Sequence, residues 1–383
     1  MVSTIHWTEI HRAGTDTPRS AHWHSESATP PPSRVVGAGD GMRADTAHRL
    51  ACEGTALLWQ GDFHNARQLL AAMRRRIDRK PSKPGDSTAD LFHLHRSAHS
   101  HRARVLGRLL VLLDDDHCLN LRRAPDVRQA CTEAYGPPSE PMAVSLTELL
   151  GVIGAHQWRA KGVEVPALRI RIHPHYGVFS PVRGEYVDLV AQAPLPTSAD
   201  QRTGHRTAFD LGTGTGVLAA VLAHRGVDHI VATDVSPRAL ACARENVHRL
   251  RLTGRVDVVG PALFPDGRAD LVVCNPPWIP ARPTSTVEQG VYDPGGSMLR
   301  DFLDGLAAHL EPGGEGWLVL SDLAERLGLR TRGELLAGIE AAGLHVVDRI
   351  DTRPRHPRVR DTADPLHAAR AAEVTSLWRL AAN

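Results

Sequence analysis

Residues 270–278, DLVVCNPPW, join a short apolar run led by an acid to a rigid polar turn. The apolar half has the composition of a buried parallel strand. In the turn, Asn275 offers a side-chain carbonyl, Pro276 and Pro277 offer backbone carbonyls with no competing N–H, and Trp278 offers a flat π face. Such a set can hold a planar nitrogen group, its N–H bonds taken by the carbonyls and its face covered by the ring.

A second chemical stretch lies upstream. Residues 208–216, AFDLGTGTG, end a strand in Asp210 and alternate Gly212, Gly214 and Gly216 around Thr213, and an apolar run from Val217 opens a helix. A dinucleotide fingerprint would put its third glycine where Val217 stands; here it comes one residue early. Eighteen residues beyond Gly216, a second strand ends in Asp234, suited to both hydroxyls of a ribose.

The succession FDLGTGTG, ATD and NPPW resembles the class I S-adenosylmethionine-dependent methyltransferases, in particular the branch that methylates amide or exocyclic amino nitrogens. Within it the similarity is to HemK-like protein-glutamine methyltransferases and small-domain RNA methyltransferases, over roughly residues 169–350. The resemblance implies S-adenosyl-L-methionine as cofactor, held by Asp210, Gly212, Thr213, Gly214, Gly216, Asp234, Val235 and Asn275, with Asp210 reaching the methionine ammonium directly or through water. It implies a catalytic turn of Asn275, Pro276, Pro277 and Trp278, and a substrate side formed by Phe179, Arg183, Trp278 and Asp293. The implied substrate is a protein glutamine side chain, with an RNA or DNA base as the alternative and a non-catalytic methyltransferase-like binding subunit as a third reading. This chain departs from the pattern twice. Before the glycine loop it has Ser180-Pro181-Val182-Arg183 and Glu185 where HemK-like enzymes have Pro-Arg and Thr-Glu, and after the third strand Ala262 stands where an acid usually receives the adenine amino group.

The reaction needs mainly alignment, because methyl transfer from a sulfonium is an in-line displacement. An amide or aniline-like nitrogen has a delocalised lone pair. Accepting its N–H bonds at Asn275 and Pro276 would favour a more pyramidal, nucleophilic nitrogen as the new bond forms.

These residues need a scaffold to position them. Strands at 207–211, 229–233, 255–259, 270–274 and 315–321 alternate with helices at about 215–225, 236–250 and 297–310, the pattern of a parallel doubly wound sheet. Residues 345–350 and 373–380 supply the last two strands, and the resemblance places the final one antiparallel in a seven-stranded Rossmann-like sheet. Residues 166–383 are thus the expected catalytic domain. Residues 46–165 read as a helical substrate-recognition domain and 1–45, rich in Ser, Thr, Pro, Gly and His, as a disordered tail.

Composition narrows the classes further. A net charge of +2 over 383 residues gives no global electrostatic case for nucleic acid. Locally, residues 66–108 hold eleven Lys or Arg against three acids, either a phosphate-recognising surface or a solvated helix face. His93, His95, His99 and His101 lack a Cys or carboxylate at ligand spacing, so no metal is expected. Five cysteines without CxxC pairing, no leader-like N-terminus and no long apolar run read as a cytoplasmic protein that does not enter a membrane.

Overall fold

A computed structural model describes residues 3–9, 17–79, 85–182, 184–196, 204–283, 287–355 and 357–383. The chain divides into two compact units, one of Met1–Gly85 with His93–Gln157, the other of Asp86–Phe92 with Trp158–Asn383.

The first unit differs from the helical domain and disordered tail expected from its composition. Its strands are β1 (Thr4–Glu9), β2 (Thr17–Trp23), β3 (Val35–Ala38), β4 (Ala56–Trp59), β5 (Leu109–Leu113) and β6 (Met142–Ser145), in one mixed sheet of order β1-β2-β6-β5-β4-β3. Helices α1 (Ala44–Cys52), α2 (Phe63–Asp78), α3 (Thr88–Leu106), α4 (Arg128–Tyr135) and α5 (Leu146–Lys161) intervene, α3 starting in the second unit and α5 ending in it. Two misreadings have physical causes. In the tail, Ile5, Trp7, Ala21 and Trp23 alternate with exposed or half-buried residues and all four are buried, so a few large side chains supply the apolar face that average composition hides. Further on, the apolar runs 56–59 and 109–113 continue the helical spacing of their neighbours. Gly54 at φ 88° precedes the first, however, and Gly107 ends α3 before the second.

The second unit follows the expected α/β succession. A β-hairpin of β7 (Val163–Val165) and β8 (Ile170–Ile172) leads to α6 (Glu185–Gln192), then β9 (Thr207–Leu211), α7 (Val217–His224), β10 (His229–Thr233), α8 (Pro237–Arg249), β11 (Val256–Val259) and β12 (Ala269–Cys274). After them come α9 (Ser297–His309), β13 (Leu310–Ser321), α10 (Leu323–Arg326), α11 (Arg332–Ala341), β14 (Leu344–Thr352), α12 (His367–Ala371) and β15 (Thr375–Ala382). The seven strands lie in the order β11-β10-β9-β12-β13-β15-β14, with β15 antiparallel to both neighbours.

Alternate residues of the central strands feed two separate cores. Ala208, Leu271, Val273, Trp317 and Val319 pack with α6 and α7 on one face, while Phe209, Leu211, Val272, Cys274, Leu318 and Leu320 pack with α9 and α11 on the other. Because both faces are covered, β12 is buried at every residue, the central parallel strand that its apolar composition led one to expect. The carboxyl ends of β9, β10 and β12 therefore open on one edge, where such sheets take their ligands. Among the described residues no helix is long and apolar enough to cross a membrane.

Candidate active site

The glycine loop between β9 and α7 exists because three consecutive turns need left-handed backbone. Gly212, Gly214 and Gly216 have φ of 68°, 54° and 79°, a region costly for residues with a Cβ. Space matters as well as conformation: a Cβ on Gly212 would lie 2.6 Å from the Met298 Cε, and one on Gly216 3.4 Å from the Ala243 Cα. Thr213 N–H donates to the Thr233 carbonyl at 2.8 Å, tying the loop to the end of β10.

Asp210 holds this loop from beneath. Its Oδ2 accepts from Thr213 Oγ1 at 2.6 Å and from the Ala219 N–H at 2.9 Å. Buried, it does not line the cavity above the loop and fastens the first turn of α7, whereas the resemblance implied that it reaches the methionine ammonium directly or through water. Burial pushes its carboxyl up to about 6, against the lowering effect of those two bonds.

Asp234 has the complementary position. It follows β10, lines the cavity, and accepts from Gly214 N–H at 3.0 Å through Oδ2 and from Ser236 N–H at 2.9 Å through Oδ1. Desolvation raises its pKa. A carboxylate so anchored still has lone pairs for two hydroxyls.

These walls enclose a cavity of about 370 Å³, a size suited to a cofactor. Gly212, Thr213, Gly214, Asp234 and Val235 line it together with Asn275 and Pro277, so the glycine loop and the Asn-Pro-Pro turn face one space. Phe179 lines it too, seated where a Cβ on Gly290 would come within 2.7 Å of its own Cβ. Gly216 and Pro276 are not in the wall, and Arg183 lies outside the described residues.

Two expected substrate contacts are used differently. Trp278 is not in the cavity wall; its half-buried ring packs against the cores, and its Nε1–H donates to Asn275 Oδ1 at 2.8 Å. The ring thus orients the asparagine carbonyl, which keeps a second lone pair for a ligand. Asp293 is buried and accepts from Ser297 Oγ at 2.9 Å, Met298 N–H at 3.2 Å and Leu299 N–H at 3.3 Å. It serves the start of α9, whose N-cap Gly296 has no side chain to do so.

Several wall residues had no sequence signal: Tyr186 on α6, Leu263 after β11, Gln289, and Met298 and Asp301 on α9. Another unforeseen residue is Asn246 on α8, buried, which accepts from His173 N–H at 2.8 Å and donates to the carbonyls of Thr215 at 3.0 Å and His173 at 3.2 Å. It clamps the segment leading to Gly177 and Phe179 onto the glycine loop. The only hint was polarity inside an amphipathic helix. Among the described residues there is no cluster of three or more His, Cys, Asp or Glu able to hold a metal.

The residues present fit S-adenosylmethionine: a glycine-rich loop, an acid at the end of the next strand, and apolar Val235 and Leu263 in the same wall. The methyltransferase small domain matches residues 169–326. A release factor glutamine methyltransferase of Cereibacter sphaeroides is 37% identical over 168 residues, covering 39% of this chain and 57% of that one. A ribosomal protein L11 methyltransferase of Pelotomaculum thermopropionicum is 35% identical over 145 residues, 37% of this chain and 39% of that one. The chain thus spans about half the length, or less, of these curated relatives. Among solved structures, a methyltransferase from Pyrococcus furiosus covers 62% of this chain and 99% of its own at 18% identity and a TM-score of 0.37, a likeness too loose to bear on the reaction. Loop, acid and turn all fall within residues 169–326, the stretch that matches the methyltransferase small domain, and the second unit that carries it has the Rossmann-like fold of the class I methyltransferases.

Proposed function

We propose that this protein transfers a methyl group from S-adenosylmethionine to a planar amide or amino nitrogen, first of all a glutamine side chain of a protein. The observation that carries this reading is that Asn275 and Pro277 line the same cavity as Gly212, Gly214 and Asp234. The cofactor supplies a methyl group on a positively charged sulfur. In this reading Asn275 Oδ1, held by Trp278, accepts one N–H of the incoming group, and a backbone carbonyl of the Asn-Pro-Pro turn accepts the other. Fixing both bonds orients the nitrogen along the line of displacement and draws its lone pair out of conjugation. Phe179 and Tyr186 exclude water from the reacting end. Glutamine is favoured by the release factor glutamine methyltransferases among the relatives. A reducing cytoplasm belongs to the same reading, since all five cysteines are free thiols.

A nucleic-acid base is the second reading, and one feature of the first unit favours it. His64, Arg67, Arg74, Arg75 and Arg79 are exposed at or just beyond α2 at spacings that share one side of a helix, a row able to follow phosphates. The deciding assay is transfer of labelled methyl from S-adenosylmethionine into a lysate of cells lacking the protein, followed by protease or nuclease digestion. Label released by protease supports glutamine; label released only by nuclease overturns it for a base. In either case Asn275→Ala should lower turnover at least about a hundredfold, the scale of losing a positioned hydrogen-bonding group. Near-normal turnover would refute the nitrogen chemistry.

A further inference from the structure

After β11 the second unit has Ala262 where an acid would receive an adenine amino group, and two backbone groups there are bonded within the unit. Ala262 N–H donates to the Asp234 carbonyl at 3.2 Å, and the Leu263 carbonyl accepts from Thr233 Oγ1. The Ala262 side chain offers no acceptor to an adenine amino group, and the Leu263 carbonyl already takes one bond from within the unit. The loop has instead docked on α9. Phe264 stacks on His309 with ring centroids 4.2 Å apart, over Gly305, whose missing side chain leaves room for it: a Cβ there would lie 2.5 Å from the ring.

Gly305 and His309 define a stripe of α9, and Asp301 is its next member, four residues earlier and so about one turn, roughly 5.4 Å, along the axis. Asp301 therefore lies beside the loop that carries Leu263. Both residues line the cavity, together with Val235 and Asp234. The Asp301 carboxylate has no hydrogen-bond or ion-pair partner among the described residues, whereas Asp234 and Asp293 each accept backbone N–H groups. Asp301 is an exposed residue in the lining of the cofactor-sized cavity, so its carboxylate is open to a donor on a bound ligand.

We propose that Asp301 receives the 6-amino group of the cofactor's adenine, taking over from α9 the contact that the third-strand loop gave up. This rests on the cofactor reading above. In it, Val235 and Leu263 close on the faces of the purine, Asp234 takes the ribose, and Asp301 makes the site selective for a purine with a 6-amino donor over one with a 6-oxo acceptor.

The test is calorimetric titration of the full chain with S-adenosylhomocysteine and S-inosylhomocysteine, which differ at that ring position and need no methyl transfer. The wild type should prefer the adenosyl compound by about tenfold or more, the worth of one charge-assisted hydrogen bond. Asp301→Ala should bring the ratio to about one by weakening the adenosyl compound alone, and Asp301→Asn, which keeps a carbonyl acceptor, should retain part of the preference. Asp234→Ala is the reference: it should weaken both compounds alike and keep their ratio. An Asp301→Ala protein with the wild-type ratio would overturn the assignment of Asp301. An Asp234→Ala protein with wild-type affinity for both would instead overturn the cofactor reading beneath it.

Discussion

Replacing Asn246 with alanine should loosen the second unit and its cofactor site together. The buried amide makes three bonds to backbone, accepting from His173 N–H and donating to the carbonyls of His173 and Thr215. At about 1 kcal/mol net for each, the loss is about 3 kcal/mol, with more added if water cannot reach the abandoned His173 N–H. For a unit of this size that lowers the melting temperature by about 6–12 °C. Since Thr215 belongs to the glycine loop and His173 leads to Phe179, S-adenosylhomocysteine should also bind more weakly. Asn246→Asp sharpens the argument, because it keeps the acceptor for His173 N–H but turns a carboxylate oxygen toward two carbonyls. It should be at least as damaging as alanine. Calorimetric unfolding and ligand titration of both variants provide the assay. A loss under about 1 kcal/mol for alanine, or a tolerated aspartate, would refute the clamp.

Two further outcomes follow from buried carboxylates. Asp210 has a folded pKa of about 6 against an ordinary 3.8, so the folded state binds the extra proton between those values and stability falls as pH rises through that window. Relative to Asp210→Asn, the wild type should lose roughly 2–3 kcal/mol between pH 4 and pH 7 in denaturant titrations at a series of pH values; a difference that is flat or of opposite sign would contradict this. Asp293→Ala should cost about 1–3 kcal/mol by uncapping α9, while Asp293→Asn should keep methyl transfer within about threefold. A stable Asp293→Asn protein that had lost its activity would return the residue to the substrate side.

Legibility from sequence tracked the range of the forces involved. The central strands β9 and β12 were readable because each is a short apolar run buried on both faces, and the strands and helices that alternate around them follow the same α/β succession. The six strands of the first unit were not. There a strand such as β4 sits between two helices whose own spacing continues through it, and the partners that make it a strand, β3 and β5, lie elsewhere in the chain. At the site, Gly212, Gly214 and Asp234 were readable, since left-handed backbone and an acid ending a strand leave marks in consecutive residues.

Trp278 and Asp293 show the limit of motif reading. Both belong to recognisable stretches, yet one turns its indole N–H to Asn275 and the other caps a helix, choices that depend on which side of each residue the cores occupy. The sequence alone determined the chemistry on offer: an α/β succession, a glycine-rich loop, an acid ending the next strand, and a turn of carbonyl acceptors. Those features are local, set by backbone conformation and the hydrophobic period. Only the tertiary structure decided which residues complete the cavity. Asn246 reaches back to His173, Met298 leans over Gly212, and Asp301 arrives beside Leu263 because α9 packs across the loop after β11, and such long-range packing leaves no fixed spacing along the chain.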